Sequence, residues 1–162
     1  MIALRLVSVK DFMTHLLLSD TFDHFQFIEG EIVTFNTFKI DGYSQKAFFD
    51  EGEDVPEYSY WETVRDYCFS LIRGKKTPLG FKFIFGLSPE NIARLISQNS
   101  LDFTPDEIQG LYLNIRYDGT SLSCVTGTSV KTFTMDKSLE QAFDKMVQKF
   151  FSIKKIEFEP LS

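Results

Sequence analysis

The chain has 162 residues, of which 43% are hydrophobic and 25% are charged, a balance typical of a soluble globular domain. Phenylalanine supplies 18 residues, against 6 tyrosines and 1 tryptophan, so the chain can bury a large apolar core. The 17 basic and 23 acidic residues give a net charge of −6, which argues against a protein that coats nucleic acid or anionic membranes indiscriminately. We therefore expect one domain, residues 1–162, on which any anion site is local.

The first twenty residues indicate neither a secretion signal nor a membrane span. Arg5, Lys10 and Asp11 interrupt their apolar residues, and a span needs about 20 apolar residues in succession. Cys68 and Cys124 are too few for a disulfide framework and form no CxxC motif, so both are predicted to be buried, reduced thiols. We expect a cytoplasmic protein with no membrane partner.

The first quarter of the chain predicts a strand, a helix and then a sheet. Apolar residues alternate over 2–7, and Ser8 stands three residues before Asp11 as a helix cap would. An apolar stripe at helical spacing follows, and the period changes to two over 22–49, where β-branched and aromatic residues dominate. Within that stretch, Asp41-Gly42 predicts a type I′ hairpin turn.

The next segment predicts an exposed loop and a second helix. Residues 50–57 carry five carboxylates with one glycine and one proline, and they lack the alternating oxygen pattern of a calcium loop, so a solvated loop is favoured. Ser59 and Glu62 form a capping box that predicts a helix over 59–73, ended by Gly74.

The second half repeats the same kinds of pattern. Residues 81–85 alternate as a strand, and Ser88 caps a helix that begins with proline. Residues 111–115 lead to a second hairpin turn at Asp118-Gly119, followed by two short strands through Phe133.

An internal repeat emerges when the two halves are compared. Residues 2–49 and 80–134 each predict a strand, a helix and three strands, and each half contains an Asp-Gly turn. A helix over 136–151 and a closing strand at Ile156 and Phe158 complete the chain. The predicted fold class is α+β, with two pseudo-repeated β-α-β-β-β halves at about 1–49 and 79–134, an inserted loop and helix at 50–78, and the C-terminal helix.

This order of elements resembles one domain of the sliding-clamp family of DNA polymerase processivity factors. The resemblance covers about residues 1–49 and 79–134 and includes no clamp sequence motif. It implies helices along one face, a sheet on the other, and several copies per ring. The chain is also similar to a small bacterial family without assigned function, through the stretches TFNTFKIDG (34–42) and YCFSLIRGKK (67–76).

The clamp resemblance implies a non-enzymatic DNA-associated accessory or adaptor protein, with DNA or a replication-type protein as its partner. The implied contacts to nucleic acid or another anion are Lys10, Arg73, Lys75, Lys76 and Arg94. The densest basic run is formed by Arg73, Lys75, Lys76 and Lys82, and capping of a helix end is favoured there over an anion or nucleic-acid contact.

Two rival hypotheses come from other classes of protein. One is a small-molecule-binding or enzymatic domain whose pocket is lined by Phe25, Phe27, Phe35 or Phe83. The other is an obligate homo-oligomer with a structural role. No catalytic residue, metal ligand or cofactor is predicted, because the sequence has no GxSxG turn and its two histidines, His15 and His24, have no ligand partners nearby.

Overall fold

The computed structural model describes residues 1–72 and 76–161. Within them the chain forms four helices and a seven-stranded sheet, the predicted α+β class. The strands and helices, in chain order, are β1 (Ala3–Leu6), α1 (Val9–Leu17), β2 (Gln26–Val33), β3 (Thr37–Asp41), α2 (Trp61–Ile72), β4 (Gly80–Gly86), α3 (Pro89–Gln98), β5 (Ile108–Tyr117), β6 (Leu122–Val130), α4 (Ser138–Ile153) and β7 (Phe158–Pro160).

Two helices begin where the sequence predicts, because side chains take up their first free amides. The Ser8 hydroxyl accepts a hydrogen bond from the Asp11 amide at 3.1 Å, which starts α1. The Ser88 hydroxyl accepts one from the Asn91 amide at 3.2 Å, and proline follows at the first position of α3.

All seven strands join one antiparallel sheet in the order β3-β2-β4-β5-β6-β1-β7. Side chains alternate between its faces: Phe81, Phe83 and Phe85 are buried, whereas Lys82 between them is exposed. The buried face packs against the helices. The opposite face, which carries Lys82, is called the open face below. β3 and β7 are the edge strands, and β7 ends at Pro160.

The core is built around Trp61, at the start of α2. Its ring lies 5.5 Å from Phe27, 5.4 Å from Phe83 and 5.1 Å from Phe85, measured between centroids. Its indole N–H donates to the Leu16 carbonyl at 2.8 Å, so the one polar atom of the ring is satisfied within the core. Trp61 thereby joins the two helices α1 and α2 to the sheet.

The structure does not confirm the predicted repeat. Each half has two strands after its helix rather than three, since residues 122–130 form one continuous strand. The first strands of the halves also occupy inequivalent places: β4 lies between β2 and β5, whereas β1 pairs with β6 and β7. A twofold relation between the halves would require equivalent neighbours for β1 and β4.

The two Asp-Gly pairs lie in different surroundings. Asp118-Gly119 lies in the turn between β5 and β6, as predicted, with φ of +95° at Gly119. The hairpin predicted at Asp41-Gly42 is wrong, because β2 and β3 are joined through residues 34–36 and Gly42 follows β3 without a positive φ. The Gly42 amide donates to the Ile28 carbonyl at 2.9 Å, so this glycine is needed for close approach between backbones.

The remaining boundaries differ from prediction by small amounts. Residues 50–57 are solvent-facing apart from the half-buried Val55, which confirms the predicted loop. Helix α2 starts at Trp61, whose amide donates to the Phe25 carbonyl at 2.9 Å. Its predicted stop at Gly74 lies outside the described residues. Helix α4 starts two residues later than predicted, after the Asp136 carboxylate accepts a hydrogen bond from the Ser138 amide at 2.9 Å.

None of the helices within 1–72 and 76–161 combines the length and the hydropathy required to cross a bilayer.

Replacing Gly42 by alanine tests the close approach of the two backbones. A Cβ at this position would lie 1.8 Å from the Phe27 carbonyl oxygen, so Gly42→Ala is expected to lower the free energy of unfolding by about 3 kcal/mol. Gly52→Ala is the control, because no atom lies within 4 Å there and only its φ of +90° disfavours alanine, at about 1 kcal/mol. Urea unfolding followed by Trp61 fluorescence measures both. Equal losses would contradict the packing described for Gly42.

Candidate nucleic-acid interface

Strand register aligns one residue from each of the seven strands in a single row across the open face. Because directly opposed residues of neighbouring strands project to the same face, every member of this row lies on the same side of the sheet. The row runs through Lys39, Glu31, Lys82, Arg116, Ser123, Arg5 and Glu159.

Two cations stand directly opposite each other at the centre of this row. Lys82 on β4 pairs in register with Arg116 on β5, and both are exposed. In the part of the chain that the structure describes, no ion pair includes either side chain. Like charges directly opposite in an antiparallel pair destabilise the sheet. On the outer sides of the pair, Lys82 has Glu31 as its neighbour in register and Arg116 has Ser123.

The two sides of the open face differ in charge. Beyond Lys82, the strands β2 and β3 present three carboxylates, of Glu29, Glu31 and Asp41, and one cation, Lys39. Beyond Arg116, strand β6 presents Ser123, Val125 and Gly127, none of which is charged. The β3 side of the open face thus carries a net negative charge, whereas the β6 side next to Arg116 is neutral.

At the far end of the row, Arg5 is neutralised within the protein. Its guanidinium group contacts the Glu159 carboxylate at 2.6 Å and 3.2 Å. Arg5 and Arg116 flank the same residue, Ser123, from β1 and β5. On the side away from Ser123, the neighbour of Arg5 is Glu159, whereas the neighbour of Arg116 is the cation Lys82.

An aromatic side chain lies further along the same strand and face. Tyr112 precedes Arg116 by four residues, a separation of about 13 Å along a strand, and is half-buried. Its ring lies across Gly110, where a Cβ would come within 2.2 Å of the ring carbon Cζ. On the β4 side Ile28 covers Gly86, but on the β6 side Gly127 leaves the space next to Tyr112 open.

The two cations and Tyr112 line separate depressions, that of Tyr112 being shared with Tyr58 and Gly110. A depression of about 600 Å³ lies over strands β3, β2, β4 and β5 and is lined in part by Lys82, Ile84, Asn114 and Arg116. The Asn114 amide donates to the Val125 carbonyl at 3.1 Å, which fixes this side chain against the sheet. The cations and Tyr112 therefore project from a stable floor.

The cations predicted from the sequence lie elsewhere, on the helical side. Lys10 is on α1 and lines a groove next to α2, whereas Arg94 is on α3 and lines a cleft next to α4. Lys76 is exposed, and Arg73 and Lys75 lie outside the described residues. The structure does not bring Lys10 and Arg94 together.

The predicted phenylalanine-lined pocket does not form from its four candidate residues. Phe27 and Phe83 are fully buried against Trp61 in the filled core, whereas Phe35 is 83% exposed on the surface. Phe25 lines the cleft between α3 and α4, and Phe83 contributes to the lining of a different depression, over β3, β2, β4 and β5, so these two do not share a pocket.

Within the described residues, no group of three or more potential metal ligands forms around either histidine. The His15 Nε2 atom lies 3.8 Å from the Asp11 carboxylate. His15 contacts the Thr21 hydroxyl at 2.8 Å, and His24 is exposed. Both cysteines are free and buried as predicted, and burial raises the pKa of Cys68 and of Cys124 to about 12. Neither thiol is a nucleophile at neutral pH.

A family model matches residues 15–159, nine-tenths of the chain. The chain belongs to DUF5721, a family of unknown function. This agrees with the similarity to a family without assigned function and gives no support to membership of the sliding clamps. No curated protein and no solved structure matches the chain.

The open-face site could not be found from residue types alone. In Phe81-Lys82-Phe83 and in Ile115-Arg116-Tyr117, a cation lies between two apolar residues of a strand. This alternation predicts from the sequence that each cation is on the exposed face of the sheet. What brings Lys82 to Arg116 is the pairing of β4 with β5, across the intervening α3.

Substitution of Arg116 and, separately, of Arg5 tests whether the charge of Arg116 lacks a partner within the protein. Arg116→Gln removes a repulsion with Lys82 and is expected to raise the free energy of unfolding by about 0.5 kcal/mol. Arg5→Gln, the matched control on the other side of Ser123, removes an exposed ion pair and is expected to lower it by about 0.5 kcal/mol. Urea unfolding at low salt measures both changes. A loss of stability in both variants would mean that Arg116 is already neutralised within the protein.

Thiol burial gives a pH-dependent prediction. Because the folded pKa of each thiol is raised from 9.0 to about 12, both cysteines lose protons more readily in the unfolded chain. Their contribution to stability is complete below pH 9 and is lost as the pH rises toward 12. A thiol reagent at pH 8 should react with neither cysteine in the native protein and with both in urea. Fast native labelling would disprove the burial.

Proposed function

We propose that this chain is a non-enzymatic binding module that holds single-stranded nucleic acid on the open face of its sheet. The observation that supports the proposal is the Lys82–Arg116 pair, two exposed cations in direct opposition. Glu31 stands next to Lys82 on its other side in register, but in the described chain no carboxylate lies within ion-pair distance of either cation. The proposal keeps the predicted association with nucleic acid and moves it from the helices to the sheet.

The cation pair suits a phosphate group. Phosphate oxygens accept charge-assisted hydrogen bonds from arginine and lysine, and arginine presents a planar set of donors that matches them. The Ser123 hydroxyl, next to Arg116 in register, is a further donor of the kind that commonly contacts phosphate. A phosphate bound here would also relieve the repulsion between Lys82 and Arg116.

Tyr112 supplies the second element of a single-strand site. Bases of single strands stack on aromatic side chains without regard to sequence, and sheet faces that carry such side chains are common platforms for this contact. The separation of about 13 Å between Tyr112 and Arg116 leaves room for a short run of nucleotides between a stacked base and a held phosphate.

Charge on the open face also sets the path of the strand. Glu29, Glu31 and Asp41 outnumber Lys39 on β2 and β3, so net repulsion keeps phosphates away from these strands, and the nucleic acid follows β5 and extends over β6. Few phosphates are neutralised, so binding is weak and its salt dependence shallow. With two contacts, the slope of log affinity against log salt is about −1.4 for a single strand. A net charge of −6 accords with such a limited contact.

Binding of a fluorescein-labelled oligothymidine of twelve nucleotides, followed by anisotropy at about 50 mM salt, tests the proposal. Lys82→Gln combined with Arg116→Gln is expected to weaken binding at least about tenfold and to flatten the salt slope, because the phosphate contacts are lost. Lys145→Gln combined with Lys149→Gln is the matched control: it removes the same charge from the exposed side of α4 and should bind as the unmodified protein does.

Three results would contradict this assignment. The first is the absence of binding at this salt concentration, and the second is an equal loss in the α4 control. The third is retention of binding in the sheet variant together with its loss in Lys10→Gln/Arg94→Gln, which would place the contact on the helices as predicted from the sequence.

Stacking on Tyr112 is tested separately from charge. Tyr112→Leu should weaken binding of the same oligonucleotide by about 1–3 kcal/mol, since base stacking on an aromatic ring is lost. Tyr112→Phe, which keeps the ring that lies across Gly110, should retain most of the affinity. If the phenylalanine variant binds as poorly as the leucine variant, the ring is not a stacking platform.

A further inference from the structure

A second concave surface lies on the other side of the molecule, between α3 and α4. It encloses about 410 Å³, within the range of small-molecule sites. Its floor is apolar and is formed by Phe25, Leu87, Leu95, Met146 and Phe150. Polar side chains surround this floor, among them Thr21, Asn91, Arg94, Gln98 and Lys154. An apolar floor with a few polar groups around it is typical of a site for an organic molecule.

The floor favours an aromatic ligand. The rings of Phe25 and Phe150 are 5.3 Å apart between centroids and inclined by 51°, so they present differently oriented surfaces to an incoming ring. Aromatic rings pair best in edge or offset arrangements, which inclined surfaces permit. Met146 adds a flexible thioether that adjusts to the outline of a ring.

The polar surround favours an anion. Arg94 from α3 and Lys154 after α4 line the same cleft, where the single carboxylate is that of Asp20. The Arg94 guanidinium donates to the Asn91 side-chain oxygen at 2.8 Å and contacts the Glu90 carboxylate only at 3.4 Å, with that glutamate side chain 82% exposed. Arg94 is thus oriented by Asn91 and weakly neutralised, which leaves donors for an acidic group on a ligand.

The geometry points to this cleft as a binding site for a small aromatic anion, one with a fused or linked ring system and a single carboxylate, sulfonate or phosphate group. The rings lie on Phe25, Met146 and Phe150, and the acidic group meets Arg94 and Lys154. This site shares no residue with the open face, so it stands independently of the proposed nucleic-acid interface.

The probe for this site is 1-anilinonaphthalene-8-sulfonate, an aromatic sulfonate whose fluorescence rises in an apolar environment. We expect saturable binding at one site on the native protein. Arg94→Gln should weaken it about tenfold, since a charge-assisted contact is lost. N-phenyl-1-naphthylamine, which has the same rings without the sulfonate, should bind the Arg94→Gln variant as well as it binds the unmodified protein.

A pair of methionine variants locates the bound probe. Met146→Trp fills the α3–α4 cleft and should abolish binding, whereas Met13→Trp fills the separate groove next to α1 and should leave binding intact. Both methionines are partly buried, so the two substitutions perturb the fold similarly, and circular dichroism checks that each variant is folded.

The inference is overturned by any of three results. These are the absence of a fluorescence rise with native protein, loss of binding in Met13→Trp with retention in Met146→Trp, and equal weakening of the charged and uncharged probes by Arg94→Gln. The last result would show that the acidic group does not contact Arg94.

Discussion

The packing of Trp61 against three phenylalanine rings is the interaction on which the rest of the structure depends. Phe27 belongs to β2, and Phe83 and Phe85 belong to β4, so a single indole ring contacts both strands as it begins α2. Its N–H reaches back to α1 through Leu16. Large aromatic side chains contribute heavily to core stability because each buries 150–250 Å². All of this apolar area lies on one side of the sheet.

A one-sided core has a direct effect on the site. Since successive side chains point to opposite faces, the register that buries Phe81, Phe83 and Phe85 also projects Lys82 and Ile84 into solvent. A slip of one residue would exchange the two sets and bury a lysine. The position of Lys82 opposite Arg116 is thus enforced by the phenylalanine core, and its electrostatic cost is outweighed by aromatic burial.

Local features of the fold could be predicted from the sequence, and nonlocal ones could not. Ser8 and Ser88 identify the starts of α1 and α3 because a cap depends only on the residues within one helical turn. The Asp118-Gly119 turn was equally accessible. The sequence wrongly predicts a turn at Gly42, because a glycine required for close approach of another backbone cannot be distinguished in sequence from a glycine in a turn. Strand order is likewise not a local property: β1 pairs with β6 and β7, more than a hundred residues further along the chain.

The same distinction between local and nonlocal features applies to the candidate site. That Lys82 and Arg116 lie on exposed strand positions is readable from their apolar neighbours, but that they face each other is a property of the sheet. Sequence reasoning instead selected basic residues that are close together along the chain, or that align through a repeat which the strand order does not support.

The two edges of the sheet are not equally protected against the addition of another strand. β7 is three residues long and ends in proline, which has no amide hydrogen to offer to a newcomer. β3 has five residues, none of them proline, and its outer backbone groups have no strand beside them. Exposed edges of this kind recruit extended segments from other chains. An extended segment from another chain would therefore find free backbone groups along β3, whereas β7 offers it a short strand that ends in proline.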